Sequence, residues 1–429
     1  MRSGSRPRML EVSGAIEEDT IWDADTVRLV GDVMVTDGTT LTVTPGVRIE
    51  AAGHHALQIQ GTLAACGTPA APILLTSADP SGFAIDSTSA GAWFGLRFDH
   101  PRATNDSSRL EYCILEYCKA AGDSSRGAAL SLRGGVKLRV ANCIFRHNVA
   151  DYGAVAYCDQ FAAPLLCSSL LWDNHAFVGG SAVYCLDAYP QLIHNTIAQN
   201  PVHNDDLFYA TACIHNHISK ARVTGCILWS NPSAYFLGGQ IREGKFYYVT
   251  YSDIEDGHAG DGNLDADPLF VDQGAHPFAL RAESPCVEAG RPETAGLGLP
   301  AEDLVGTPRI WLERIDIGAY EWALPAAVRD PDPSAAVATC GSLQLRPNPT
   351  AGAALIWARH PPVGGQPLRI YDAAGRLVRT LAAPAAPDGT VRVSWDGRDE
   401  QGRPAPAGIY HCVIASAAAT TRGRLIRLR

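Results

Sequence analysis

From Leu110 to Gly257 one six-residue pattern of apolar and polar positions keeps returning: Cys113-Ile-Leu-Glu-Tyr-Cys118, Cys143-Ile-Phe-Arg-His-Asn148, Ser169-Leu-Leu-Trp-Asp-Asn174, Asn195-Thr-Ile-Ala-Gln-Asn200, Cys226-Ile-Leu-Trp-Ser-Asn231 and Ser252-Asp-Ile-Glu-Asp-Gly257. The starts lie 30, 26, 26, 31 and 26 residues apart. Such a period marks a solenoid, whose units bury their apolar faces only by stacking on one another. The third position is always a large hydrophobe (Leu115, Phe145, Leu171, Ile197, Leu228, Ile254), the first is small or polar and the fourth is mixed. That is the period-two alternation of a strand, with position three inward and positions two and four outward.

A second short run follows in each period, as in Gly153-Ala-Val-Ala-Tyr-Cys158 and Gly180-Ser-Ala-Val-Tyr-Cys185. One period therefore holds two or three short strands. A leucine-rich repeat would need its Leu-x-x-Leu-x-Leu frame and a helical half, and neither is present. The pattern predicts a right-handed parallel β-helix, with Asn148, Asn174, Asn200 and Asn231 stacked as a ladder of amides at the turn.

Upstream, short alternating runs such as Leu41-Thr-Val43, Val47-Arg-Ile49 and Leu57-Gln-Ile59 are cut by Asp37-Gly38 and Pro45-Gly46 and read as the first coils. Residues 79 to 109 read as loops leaving the coil. Beyond Ala323 the prolines Pro325, Pro331 and Pro333 mark a semi-rigid linker. From Ser342 the long period ends and seven apolar runs follow at the spacing of a β-sandwich: Leu343–Leu345, Ala354–Trp357, Leu368–Tyr371, Leu377–Leu381, Val391–Trp395, Gly408–Ile414 and Arg424–Leu428. The chain is thus expected to be all-β: a solenoid over 12–322, a linker over 323–339 and an immunoglobulin-like sandwich over 340–429.

Several phrases carry a resemblance. Thr39-Thr-Leu-Thr-Val-Thr-Pro-Gly46, Leu57-Gln-Ile-Gln-Gly-Thr-Leu63 and Ala71-Pro-Ile-Leu-Leu-Thr-Ser77 are similar to the opening coils of secreted bacterial right-handed β-helix repeat proteins. Asp267-Pro-Leu-Phe-Val-Asp272, Ser284-Pro-Cys-Val-Glu-Ala-Gly290 and Asp316-Ile-Gly-Ala-Tyr-Glu321 resemble that family's closing phrases. In the tail, Pro347-Asn-Pro349, Ile370-Tyr-Asp-Ala-Ala-Gly-Arg-Leu-Val378, Trp395-Asp-Gly-Arg-Asp399 and Pro406-Ala-Gly-Ile-Tyr410 resemble the immunoglobulin-like domain of flagellar hook-capping proteins. Relatives of that module act as sorting tails in type IX secretion. The resemblance implies a secreted or cell-surface protein and says little of activity.

Charge narrows the partners. With 35 basic and 45 acidic residues the chain carries a net charge of -10, which disfavours nucleic acid and anionic membranes. No apolar run follows the basic start, so no signal peptide is visible; either the protein stays inside or its natural start lies upstream of Met1. No segment approaches the ~18 apolar residues of a membrane span. The 12 cysteines fall at repeated core positions and read as buried thiols, because stacked residues about 4.8 Å apart sit too wide for a disulfide.

Candidate chemistry is sparse. Asp256, Asp261, Asn263, Asp265 and Asp267 alternate with glycine in a way that suits a Ca²⁺ site, although no EF-hand frame is present. His147 and Asp173 share the fifth position of successive coils and could form an acid/base pair. The outward fourth position reads Glu116, Arg146, Trp172, Ala198, Trp229, Glu255, with Arg146 lacking a carboxylate neighbour. In this reading Phe145→Ala costs about 3–5 kcal/mol and Glu116→Ala under about 0.5.

Position two is largely apolar and lies beside Trp172 and Trp229. Three contacts could cover it: a glycan, a second copy of the chain, or the chain's own loop 79–109. The expected function is a non-catalytic exported rod whose face, including Trp172, Trp229 and Arg146, binds polysaccharide or a cell-surface protein. The rival is an extracellular polysaccharide lyase or glycoside hydrolase.

Overall fold

The structure, a computed structural model, describes residues 8–102, 105, 107–120, 125–203, 212–232, 240–242, 246–310, 314–323, 343–346, 350, 352–359, 367–373, 375–383, 390–415 and 420–428. The expected linker falls outside these residues from 324 onward, as does Pro347-Asn-Pro349. Two compact units result. One comprises Met1–Pro268, Ala289–Arg309 and Asp316–Tyr320, the other Leu269–Glu288, Ile310–Ile315 and Glu321–Arg429.

In the first unit each period closes into one coil. A representative coil runs through Leu138–Ala141, Ile144–Arg146, Val149–Tyr152 and Ala156–Asp159, then returns at Leu165–Cys167 of the next. Every strand pairs in parallel with its counterpart one coil on, Val140 with Leu166, Phe145 with Leu171 and Cys158 with Cys185. The stack yields a nine-stranded sheet, a seventeen-stranded sheet fed by two runs of each coil, and a short three-stranded sheet between those runs. This is the parallel β-helix that the period predicts. The position-three side chains fill the core, and Leu115, Phe145, Leu171, Ile197, Leu228 and Ile254 are all buried.

Sharp corners turn on single residues in the left-handed region. Tyr117, His147, Asp173, Gln199 and Ser230 hold φ between 52° and 57° at one corner, at some cost in backbone strain for each side chain. Two buried ladders offset that cost. In the expected one, Asn148 Nδ2 donates to Asn174 Oδ1 at 2.8 Å, Asn174 to Asn200 at 2.9 Å, Asn200 to Asn231 at 2.9 Å, and Asn231 to Gln240 Oε1 at 2.8 Å.

The second ladder runs along position one. There the backbone N–H of each coil donates to the next coil's side chain: Cys113 to Cys143 Sγ at 3.4 Å, Cys143 to Ser169 Oγ at 3.0 Å, Ser169 to Asn195 Oδ1 at 3.0 Å, Asn195 to Cys226 Sγ at 3.4 Å and Cys226 to Ser252 Oγ at 3.1 Å. Cys143 and Cys226 are therefore acceptors as well as small core groups. The described cysteines are free thiols.

Position two does not form the open face that alternation suggests. Ile114 and Ile144 are half-buried, but Leu170, Thr196, Ile227 and Asp253 are buried. The Gly318 N–H donates to Gly225 O at 2.8 Å and the Ala319 N–H to Thr196 Oγ1 at 3.0 Å. Farther along, Asn142 Nδ2 donates to Glu302 O at 3.2 Å, Tyr112 Oη to Asp303 O at 3.3 Å, and Leu297 packs with Ala141, Cys167 and Ile193. Residues 297–309 and 316–320 thus form a strap along one corner of the coils.

Gly318 holds φ 101°, and a Cβ there would lie 2.7 Å from Ile227 Cδ1, so glycine suits this close approach. The loop proposed as the cover goes elsewhere. Phe83 meets Tyr117 edge-on at 5.2 Å and Lys119 Nζ donates to Ala84 O at 2.6 Å, at the other end of the same strands.

In the second unit, three antiparallel strands (Gln344–Arg346, Ala354–Arg359, Thr390–Trp395) and four (Leu377–Leu381, Leu368–Asp372, Gly408–Ala415, Thr420–Arg427) form two sheets. All seven apolar runs are strands. Ile356, Leu368, Ile370, Trp395, Tyr410 and Leu425 lie in the shared core.

Candidate functional site

Stacking one coil on the next brings fifth-position side chains about 4.8 Å apart, so His147 and Asp173 meet. His147 Nδ1 lies 2.6 Å from Asp173 Oδ2. Two residues on, past the ladder Asn174, His175 Nε2 reaches the other oxygen, Oδ1, at 3.0 Å, and His175 Nδ1 lies 2.9 Å from His203 Nε2. Hydrogen bonds from His147 and then His175 hold the Asp173 carboxyl well below the usual carboxylate range.

An ionised carboxylate only accepts, so His147 donates from Nδ1 and His175 from Nε2. With His175 neutral, its Nδ1 accepts from His203. His147 Nδ1 is thus committed to Asp173. Its ring stacks on Tyr117 at 5.4 Å and meets the edge of Trp172 at 5.3 Å.

His175 and His203 were not singled out in the sequence. His175 had a signal, since it follows a ladder asparagine and lies two positions from Asp173. His203 lies beyond the repeat pattern and had none.

Along the fourth position Arg146 and Glu116 satisfy one another. Arg146 Nε and Nη2 both lie 2.7 Å from Glu116 Oε2, and Thr76 Oγ1 donates to Glu116 Oε1 at 3.0 Å. This corrects the expectation that Arg146 has no carboxylate neighbour: Glu116 occupies the same position one coil earlier. Glu116 is buried rather than open. The row continues upstream, where Arg28 and Arg48 both pair with Glu50, whose pKa is lowered because their hydrogen bonds and charges outweigh its desolvation. Downstream, Trp172, Ala198 and Trp229 stand in register, a buried alanine between two half-buried rings.

The acidic run does not converge. Asp256, Asp261, Asp265 and Asp267 are exposed. Asn263 ends the position-one ladder, its Oδ1 accepting the Ser252 N–H at 3.1 Å while its Nδ2 donates to Val249 O at 3.2 Å. Asp253, which the sequence placed outside, is buried and accepts the Ala266 N–H at 3.1 Å. Among the described residues no group of three or more His, Cys, Asp or Glu side chains is placed to hold a metal ion.

Comparison with known proteins agrees with this architecture. Residues 14–117 match the pectate-lyase like beta helix domain, and residues 360–420 match the FlgD Ig-like domain. The chain therefore carries a pectate-lyase-like β-helix at its N-terminus and a FlgD-type immunoglobulin-like domain near its C-terminus. No curated protein matches the chain. A crystal structure of dimeric latent PorU from Porphyromonas gingivalis is similar over 20% of this chain and 9% of that one, at 26% identity and a TM-score of 0.18.

Proposed function

We propose that this is an exported, non-catalytic β-helix protein that presents a rigid face to a glycan or a surface protein. Its C-terminal sandwich would serve as a sorting tail or spacer. In this division the rod spans 12–322, the linker 323–339 and the tail 340–429. Pectate-lyase-like β-helix domains are typically extracellular, which supports export. Among the described residues no helix is long and apolar enough to cross a membrane.

One observation carries the binding reading. In the outward row Arg146 and Glu116 are committed to each other and Glu255 accepts from the Ser230 N–H and Gln240 Nε2, whereas Trp172 and Trp229 flank the small Ala198 as a slot with aromatic walls. Such rings stack on the apolar faces of sugars. A lyase or hydrolase is less well served. Glycoside hydrolysis calls for two carboxyl groups at a set separation. At the His147 corner the carboxylate of Asp173 already accepts from two imidazoles, and Glu116 is held by Arg146 and Thr76.

The test is retention on polysaccharide affinity gels together with an assay for new reducing ends. Retention without cleavage, weakened in Trp172→Ala/Trp229→Ala, is the expected result. Cleavage that vanishes in His147→Ala or Asp173→Asn would replace this reading with the enzymatic one.

A further inference from the structure

A different corner of the rod, where the Ala156–Asp159 run turns toward Leu165–Cys167, exposes large apolar side chains in three successive coils. Phe161 is 57% exposed, Tyr189 38% and Ile218 64%. The Phe161 and Tyr189 rings lie 6.2 Å apart and only 17° from parallel, and Lys220 Nζ stands 6.0 Å from the Tyr189 ring.

The backbone makes this exposure more telling. The preceding coil turns the same corner on Gly134 and Gly135, both at positive φ, with open space where a Gly135 side chain would go. The next coil places Gln160 and Phe161 there, at φ 51° and 68°. Ile218, at φ 52°, is the only β-branched residue with positive φ among those described. Bulky and β-branched residues are disfavoured in this region. Phe161 and Ile218 therefore combine backbone strain with apolar exposure. Strain and exposure that coincide in one patch point to an external contact.

We propose that Phe161, Tyr189 and Ile218 form a platform for a neutral glycan, whose sugar rings lay their apolar faces on Phe161 and Tyr189. The patch exposes on the order of 300 Å² of side chain, well below the ~800 Å² per partner of a stable protein interface. A stacked aromatic pair with this exposure instead suits the apolar face of a sugar. The net charge of -10 disfavours a polyanion. The proposal rests on the rod being a binding protein, as above, but names a site separate from the Trp172 slot.

The test uses the full chain in affinity electrophoresis through gels containing β-glucan, xylan, mannan or glycol chitin. The unaltered protein is expected to be retarded by at least one. Phe161→Gly with Tyr189→Ala should weaken retention by about tenfold, the equivalent of ~1.4 kcal/mol, while Trp172→Ala/Trp229→Ala leaves this component in place. Phe161→Gly alone should leave Tm unchanged or raise it, since glycine adopts positive φ freely.

Retardation by none of the four gels overturns the proposal, as does equal retention of the Phe161/Tyr189 variant. If only the Trp172/Trp229 variant loses retention, the binding function stands and this platform falls. A lowered Tm in Phe161→Gly would show that the ring packs the fold. A dimer in light scattering that this double variant turns into a monomer would assign the patch to a second copy. Either result overturns the proposal.

Discussion

The rod and the sandwich bury polar groups in opposite ways. In the rod the buried asparagines are rungs of a ladder, so each depends on those one coil above and below. Asn174 donates to Phe145 O, Trp172 O and Asn200 Oδ1, and accepts from the side chain and backbone of Asn148. In the sandwich Trp395 and Tyr410 are each satisfied by one bond close in sequence: Trp395 Nε1 donates to Arg398 O at 2.9 Å and Tyr410 Oη to Pro406 O at 2.6 Å. Loss of one polar group should therefore spread in the rod and stay local in the sandwich.

The largest test of that contrast is Asn174→Ala. It leaves donors and acceptors unpaired in the neighbouring coils, each costing about 1–3 kcal/mol, so a loss of about 3–5 kcal/mol is expected in chemical denaturation. Tyr410→Phe, which removes one hydroxyl and leaves one carbonyl, should cost about 1 kcal/mol. Equal losses at the two sites would dissolve the distinction.

This contrast also explains what could be read beforehand. Periodicity exposes anything that repeats, so Phe145 and its counterparts, the asparagine ladder and the meeting of His147 with Asp173 were all legible. The seven sandwich runs were legible because each alternates within itself. The strap was not. The Ala319 contact to Thr196 joins residues 123 apart, and nothing in the alternation of position two says that a closing segment lies over it. Glu116 was misplaced for a related reason: whether an outward side chain is buried depends on its neighbours along the rod, here Thr76 and Arg146, rather than on its own strand.

Acid should separate the units at the next level of effect. His411 in the sandwich is buried with its ring 4.3 Å from Trp322, and desolvation, then the charge of Arg424, pushes its pKa down to about 3. Arg424 is in turn 3.6 Å from Glu288. In the unfolded chain a histidine titrates near 6.5. Between that value and about 3 the unfolded state binds a proton that the folded state refuses. Sandwich stability should therefore be flat above about pH 7 and fall by roughly 3 kcal/mol toward pH 4.

In the rod, His215 stacks on Tyr184 at 4.5 Å and burial lowers its pKa to about 4, which gives the same direction. His411→Phe should flatten the acid dependence of the sandwich transition in calorimetry and leave that of the rod. If the transition assigned to the sandwich keeps its slope in this variant, His411 is not its source.

The smallest test compares arginines. Arg146 pairs with a buried carboxylate and is itself about one-third exposed, whereas Arg376 in the sandwich pairs with Asp372 at 2.8 Å with its side chain 80% exposed. Removing Arg146 leaves Glu116 in a confined site with Thr76 as its remaining side-chain partner, and an unpaired buried charge is costly. Because Arg146 still borders solvent, the loss for Arg146→Ala is expected at about 1–2 kcal/mol rather than the full cost of a deeply buried pair. Arg376→Ala removes a pair held mostly by water-exposed atoms and should cost under about 0.5 kcal/mol. Salt adds an independent handle, since at 1 M the Debye length is about 3 Å and exposed pairs are screened while enclosed ones are not. The difference between Arg146→Ala and the unaltered protein should survive 1 M NaCl, and that for Arg376→Ala should vanish. Should the Arg146 effect also vanish in salt, the Glu116 pair is an ordinary surface contact and the outward row of the rod is no more enclosed than the surface of the sandwich.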